Sequence, residues 1–313
     1  MAITTTASTS PPSAESAAMR NVFSRMAART AADPVMGLES TRDMLESMYA
    51  LTAEPAGVTY EEIVAGTRPS LWCLPLDGAQ DRVILYAHGG GFVGNSMQSH
   101  RKLAAHLARA AGTRALVLDF RLAPEHPFPA QLEDAVTAYR WLVDQGFEPG
   151  HIATAGDSAG GNLAISLVLK LRDDGLPLPA AIVAMSPWLD MEASGRGFML
   201  NAANDVFHSR EAAAHLAATF LGDGGSPKDP LANPLYADPA GLPPVHMSYG
   251  GFETFRDDSE RFAAIAGPAG VDVTLDLADG MQHDYMMMAG RAPEADQVIA
   301  RISKWLRPKL GLD

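Results

Sequence analysis

From Arg82 onward, short and strongly apolar runs alternate with amphipathic stretches of about a dozen residues. Arg82–Ala87 (RVILYA), Arg114–Phe120 (RALVLDF), His151–Gly156 (HIATAG) and Ala181–Ser186 (AIVAMS) read as strands. His100–Ala111, Pro129–Gln145 and Ala159–Asp173 between them read as helices. Strands with no polar face, separated by helices, are those of a parallel sheet covered on both sides. The pattern resumes later as strand Val245–Tyr249, helix Arg256–Ala266, strand Val271–Leu277 and helix Glu294–Leu306.

The flanking segments are of another kind. Residues 1–14 are rich in Ser, Thr and Pro and are expected to be mobile. Glu15–Leu51 carries Met19, Val22, Phe23, Met26, Met44, Leu45 and Met48 at helical spacing, with a break near Asp33–Pro34. Val58–Ala65 and Ser70–Leu74 read as a leading antiparallel pair. Trp188–Asp238, with one helix at Arg210–Leu221, is too long for a plain connection and reads as an insertion over the sheet.

Composition narrows the function classes. The formal net charge of −13 disfavours nucleic acid and anionic membranes as partners. The single cysteine, Cys73, excludes an intramolecular disulfide and a cysteine metal cluster, and it lies in an apolar run that implies burial. Neither a signal-peptide pattern nor a long uninterrupted apolar stretch is read, so the expectation is a cytoplasmic protein. No H-E-x-x-H or similar ligand spacing is present, and neither metal nor cofactor is expected.

Two motifs sit at strand ends. Gly156-Asp157-Ser158-Ala159-Gly160 is a G-x-S-x-G pattern directly between a strand and a helix, as a nucleophile elbow requires. The competing reading is an ordinary helix start capped by Ser158 or Asp157. His88-Gly89-Gly90-Gly91-Phe92 follows the strand RVILYA. Its unshielded backbone N–H groups suit an oxyanion hole, to which Gly89, Gly90 and Ala159 would each contribute one donor.

These blocks, with Asp119–Ala130 (DFRLAPEHPFPA), resemble the hormone-sensitive-lipase-like family of α/β-hydrolases, which includes bacterial carboxylesterases. The similarity runs from about Val83 to His283. Phe120 stands where the family usually has tyrosine. The resemblance implies an α/β-hydrolase fold, with a mostly parallel sheet of about eight strands, helices on both faces and a helical cap. It divides the chain into an N-terminal cap segment (1–51), a catalytic domain (52–187 and 239–313) and a cap insertion (188–238). Arg121, Glu125 and His126 are expected to hydrogen-bond one another and brace the loops under the site.

In this fold the partners of the serine follow in the order acid, then histidine. His283 matches the family's late histidine, whereas His246 sits inside a strand and suits packing. Glu253 matches the family's acid position, with Asp257 as the alternative. The expected chemistry is acyl transfer: Ser158 attacks, His283 takes its proton and Glu253 orients the imidazole. Phe92, Trp188, Phe198 and Phe207 are expected to bind substrate. The expected partner is a small ester or lactone of short to medium chain, with homodimer pairing open to the strand Val271–Leu277. A lactone hydrolase, an amidase and a non-catalytic receptor are the alternatives.

Overall fold

The computed structural model describes residues 3–8, 11–33 and 35–313; Pro34, part of the expected helix break, lies outside them. The strands are β1 (Thr4–Ser8), β2 (Val58–Ala65), β3 (Arg68–Pro75), β4 (Val83–Ala87), β5 (Arg114–Leu118), β6 (Ile152–Asp157), β7 (Ala181–Met185), β8 (Val245–Gly250) and β9 (Val273–Ala278). They form one sheet in the order β1-β9-β8-β7-β6-β4-β5-β3-β2. β3 runs antiparallel to both β2 and β5, and all other pairings are parallel.

Every residue of β4, β6, β7 and β8 is buried, as the unbroken apolar runs predict. The helices are α1 (Ala14–Ala32), α2 (Leu38–Glu46), α3 (Met97–Ala111), α4 (Ala130–Asp144), α5 (Ala159–Asp173), α6 (Gly197–Leu200), α7 (Arg210–Leu221), α8 (Arg256–Ala266) and α9 (Pro293–Leu306). α3 and α9 cover one face of the sheet and share a core with Met19, Phe23 and Met26 of α1. α4 and α5 pack together on the other face.

The topology positions the site. β4 lies between β5 and β6, so the chain leaves the carboxyl ends of β4 and β6 in opposite directions. A crevice opens at such a switch point, where ligands bind in open α/β sheets. The HGGG segment leaves β4 there, and the Ser158 turn leaves β6 beside it.

The sheet of about eight strands is as expected, with β1 as a ninth, and the expectation of a mobile start is corrected at residues 4–8. Thr4–Ser8 pairs in register with Thr274–Ala278, making a ninth strand. Threonine is β-branched and suits a pleated edge, and β9 offered an open one. Two consequences follow. Residues 4–8, expected within an N-terminal cap segment, belong to the sheet. The edge of β9 expected to serve dimer pairing is already occupied by the chain itself.

α1 is tied down at its start and at its middle. Ser13 caps it by accepting from the Ser16 N–H, and Glu294 of α9 accepts from the Ser13 N–H, the Ser13 hydroxyl and the Ser16 hydroxyl. Arg20 donates to the carbonyl of Asn204 in the insertion, and Phe23 stacks on Phe207 with ring centroids 4.8 Å apart. Among the described residues no helix is long and apolar enough to cross a membrane.

Candidate active site

Ser158 stands between β6 and α5 with φ 51° and ψ −118°, a backbone conformation that a serine adopts only under constraint. The constraint is visible on both sides. The Ser158 N–H donates to Met185 O of β7, and its carbonyl accepts from the Trp188 N–H. A Cβ on Gly156 would run into Gly160, and one on Gly160 into Ala87, so only glycine lets strand, turn and helix close this tightly. The Ser158 side chain makes no capping hydrogen bond. Asp157 does not cap either: its carboxylate accepts from the Tyr86 hydroxyl and from His100 Nε2. The helix-cap reading of this motif is thereby excluded.

The His88–Phe92 segment faces that turn. Among the described residues the N–H groups of Gly89 and Gly90 are not spent on protein acceptors. A Cβ on Gly89 would collide with the Asp157 carboxylate, which lies under the loop. His88 is fully buried; its Nδ1 lies 2.8 Å from the Gly89 carbonyl and its ring stacks on Phe120 at 4.1 Å. Burial pulls the His88 imidazole down to about 4, so it is neutral. The aromatic ring at position 120 therefore packs the base of this loop without needing a hydroxyl.

His283 Nδ1 lies 2.7 Å from Glu253 Oε2, with both side chains buried. The other Glu253 oxygen accepts from the Gly250 N–H at 2.9 Å, which fixes the carboxylate at the end of β8. Asp257 is elsewhere: its oxygens accept from the backbone N–H groups of Arg196 and Gly197, bracing the insertion. His246, inside β8, packs against Trp305 and is pulled down to about 4 by burial.

Ser158 and His283 face one cavity without a hydrogen bond between them. Catalytic contacts of this kind are commonly long in the ligand-free state and tighten with substrate. His283 Nε2 instead lies 3.1 Å from Asp284 Oδ2. Against burial, which opposes a buried charge, the Asp284 and Glu253 carboxylates hold His283 well above the ordinary imidazole range. His208, from the insertion, packs edge-on against the His283 ring at 4.5 Å. Burial first, and then the neighbouring His283, push His208 below its ordinary value.

The cavity measures about 1640 Å³. Residues of α1, α2 and α7 line it together with Ser158, His283 and Gly90. Of the aromatic residues expected to bind substrate, Trp188 and Phe207 line it. Phe92 and Phe198 do not. Phe92 turns inward to stack on Phe220 at 3.9 Å, and Phe198 packs edge-on against Phe255 at 5.7 Å. Phe255 takes the lining position instead. Neither it nor His208 nor Asp284 stood out in the sequence. Only the charge adjacent to His283 in Gln282-His283-Asp284 offered a local signal.

The expected mutual bracing of Arg121, Glu125 and His126 is also corrected. Arg121 pairs with Asp134 and Glu133 of α4, and Glu125 pairs with Arg42 of α2. The His126 carbonyl accepts from Gln131. Arg121 and His126 thus both reach α4 and Glu125 reaches α2, because a loop this close to the sheet satisfies itself on what surrounds it.

Comparison with known proteins agrees with this architecture. A family model described as an alpha/beta hydrolase fold matches residues 84–287. An acetyl-hydrolase of Streptomyces hygroscopicus is 38% identical over 270 residues, spanning 86% of this chain and 88% of that protein. An esterase of Acinetobacter venetianus is 34% identical over 250 residues, spanning 80% of this chain and 79% of that protein. The crystal structure of an esterase from the bacterial hormone-sensitive lipase family superposes with a TM-score of 0.91 at 42% identity, covering 96% of this chain and 100% of that one. The crystal structure of EstE5 soaked with p-nitrophenyl butyrate superposes with a TM-score of 0.88 at 34% identity, covering 96% and 99%. The chain belongs to the α/β-hydrolase family and, within it, to the hormone-sensitive-lipase-like carboxylic ester hydrolases.

Proposed function

We propose that the chain hydrolyses short- to medium-chain carboxylic esters through Ser158, His283 and Glu253. The observation that carries this reading is the 2.7 Å contact of His283 Nδ1 with Glu253, in the wall of the cavity that also holds the strained Ser158. Glu253 holds the Nδ1–H tautomer, which makes Nε2 the nitrogen that acts as base. Ser158 Oγ attacks the carbonyl carbon as its proton passes to His283 Nε2. The N–H groups of Gly89, Gly90 and Ala159 stabilise the oxyanion. His283 then protonates the departing alcohol. Water, deprotonated by the same imidazole, attacks the acyl-serine and releases the acid.

The cavity exceeds the ~300–1,000 Å³ usual for small-ligand sites, so a bulky alcohol portion fits beside a short acyl chain. Ala27 and Ala31 of α1 and Leu38, Met44 and Leu45 of α2 give the cavity an apolar wall suited to an acyl chain. The acetyl-hydrolase relative and the p-nitrophenyl butyrate used with EstE5 support a short acyl group.

The test is active-site titration with a phosphonate, followed by a panel of p-nitrophenyl esters, lactones and anilides. One adduct on Ser158 is expected, with fastest turnover for acyl chains of roughly two to eight carbons, since an apolar pocket discriminates by fit. An adduct elsewhere would overturn the serine assignment. Preference for a palmitoyl ester, a lactone or an anilide would overturn the substrate class.

A further inference from the structure

The mechanism above leaves one buried acid at the reacting histidine without a role. Asp284 directly follows His283 and adopts a left-handed backbone, φ 53° and ψ 33°. Its N–H donates to Ser186 Oγ at 3.1 Å, which holds the residue against the end of β7. This conformation turns the carboxylate back onto the preceding imidazole, so that Oδ2 sits 3.1 Å from His283 Nε2. Asp284 lines the same cavity as Ser158, and neither its buried Oδ1 nor His283 Nε2 has a hydrogen-bond partner, so the 3.1 Å approach of Oδ2 is an ion-pair contact and not a hydrogen bond. Nε2 is the nitrogen through which His283 must take the proton of Ser158. Asp284 therefore stands at the one edge of the ring that catalysis needs.

We propose that Asp284 is a positioning residue that pairs with the Nε2 edge of His283 in the substrate-free enzyme and so sets the pH above which His283 can serve as base. The proposal rests on the reading of Ser158 and His283 as nucleophile and base. The imidazolium is the form an Asp284 carboxylate stabilises, and the neutral ring is the form that accepts a proton from serine. Asp284 thus delays the appearance of active enzyme as pH rises.

The surroundings on every side fit this. His283 is faced by Glu253 from the loop after β8, by Asp284 on its own loop, and by His208 from the insertion, itself near Asp205. Asp284 is faced in turn by Asp157 at the end of β6, with His100 of α3 and Tyr86 of β4 behind it. Burial raises Asp284, His283 opposes the rise, and Asp157 adds to it, leaving the carboxyl at about 6. At neutral pH it is charged, while His283 lies well above its ordinary range. Burial, and then the neighbouring His283, disfavour a positive charge on His208 that would oppose the pairing.

The experiment is a pH profile of kcat/KM for hydrolysis of p-nitrophenyl butyrate, followed by pH-stat, for the full chain and for Asp284→Asn and Asp284→Gly. Both replacements suit a left-handed backbone, so either variant serves if the other folds poorly. kcat/KM reports groups of the free enzyme. The midpoint of the acidic limb is expected to fall by about one pH unit or more in both variants, because a carboxylate within 4–6 Å of a base shifts it by roughly that much. Nitrogen-15 NMR titration of the imidazoles in Ser158→Ala, with and without Asp284→Asn, is expected to show the same fall at His283. An unmoved midpoint, even with a lower plateau, or an upward shift would overturn the proposal. Failure of the underlying reading is separate: it shows as absence of a phosphonate adduct on Ser158 in the unaltered enzyme.

Discussion

Arg42 of α2 and Glu125 meet in a two-pronged ion pair, Nη1 to Oε1 at 2.7 Å and Nη2 to Oε2 at 2.6 Å. The same guanidinium donates through Nε to the Val93 carbonyl and through Nη2 to the Ala123 carbonyl. One side chain of the N-terminal segment thus joins the loop that begins at His88 to the loop that follows β5. Arg42→Ala is expected to lower kcat/KM by roughly tenfold, since slight misplacement of a positioned group has a large kinetic effect. Its stability loss is expected to be at most about 1 kcal/mol, because Glu125 is half exposed. The Arg42 guanidinium holds the Glu125 carboxyl down to about 2. A depressed acid stabilises above its ordinary value and loses that contribution as pH falls toward 2, so variant and parent should converge in acid. Paired urea titrations and steady-state rates at pH 3, 5 and 7 check both parts.

The two carboxylates near the end of β8 separate by function. Glu253→Ala is expected to lower kcat by roughly 10³–10⁴, because the tautomer and orientation of His283 are lost. Asp257→Ala strands two backbone donors in the insertion and is expected to destabilise by about 1–3 kcal/mol while kcat stays within about tenfold. Steady-state kinetics and thermal melts of both variants decide. The reverse ranking in kcat would move the acid to Asp257.

His100 and Asp157 form a fully buried pair at 3.0 Å beneath Gly89. His100→Leu leaves the Asp157 charge uncompensated and is expected to cost about 3–5 kcal/mol. Burial opposes the His100 charge, but Asp157 outweighs it and raises the imidazole. A raised histidine stabilises fully below its unfolded value and loses the contribution as pH climbs through its folded one. The gap between parent and variant should therefore narrow in alkali, as urea midpoints across pH 6 to 10 will show.

Metal removal is expected to change nothing. Among the described residues no group of three or more His, Cys, Asp or Glu is arranged to hold an ion, and the proposed steps need none. Rates after prolonged dialysis against EDTA should equal those before it. A loss restored by a divalent cation would contradict the serine mechanism.

Much of this was legible because the deciding interactions are local. α5, α7 and α8 begin and end where their periodicity and flanking residues place them. The turns after β4 and β6 are written in glycine, because backbone crowding there leaves no alternative. What was not legible depends on distant partners. β1 looks like a polar tail until β9 is set beside it, 269 residues away. Phe92 and Phe198 have the composition of pocket residues, yet neighbouring rings claim them. Asp284 looks like one more loop acid, and only a left-handed backbone brings its carboxylate to His283.

The pairing of β1 with β9 also constrains how the chain is made. Thr4–Ser8 is synthesised well before Val273–Ala278, so this strand emerges without its neighbour. The helices and the central strands can collapse in the meantime, since their contacts are nearer in sequence. The pairing of Thr4–Ser8 with Thr274–Ala278 is a contact of very long sequence separation, closed only once both strands have been made.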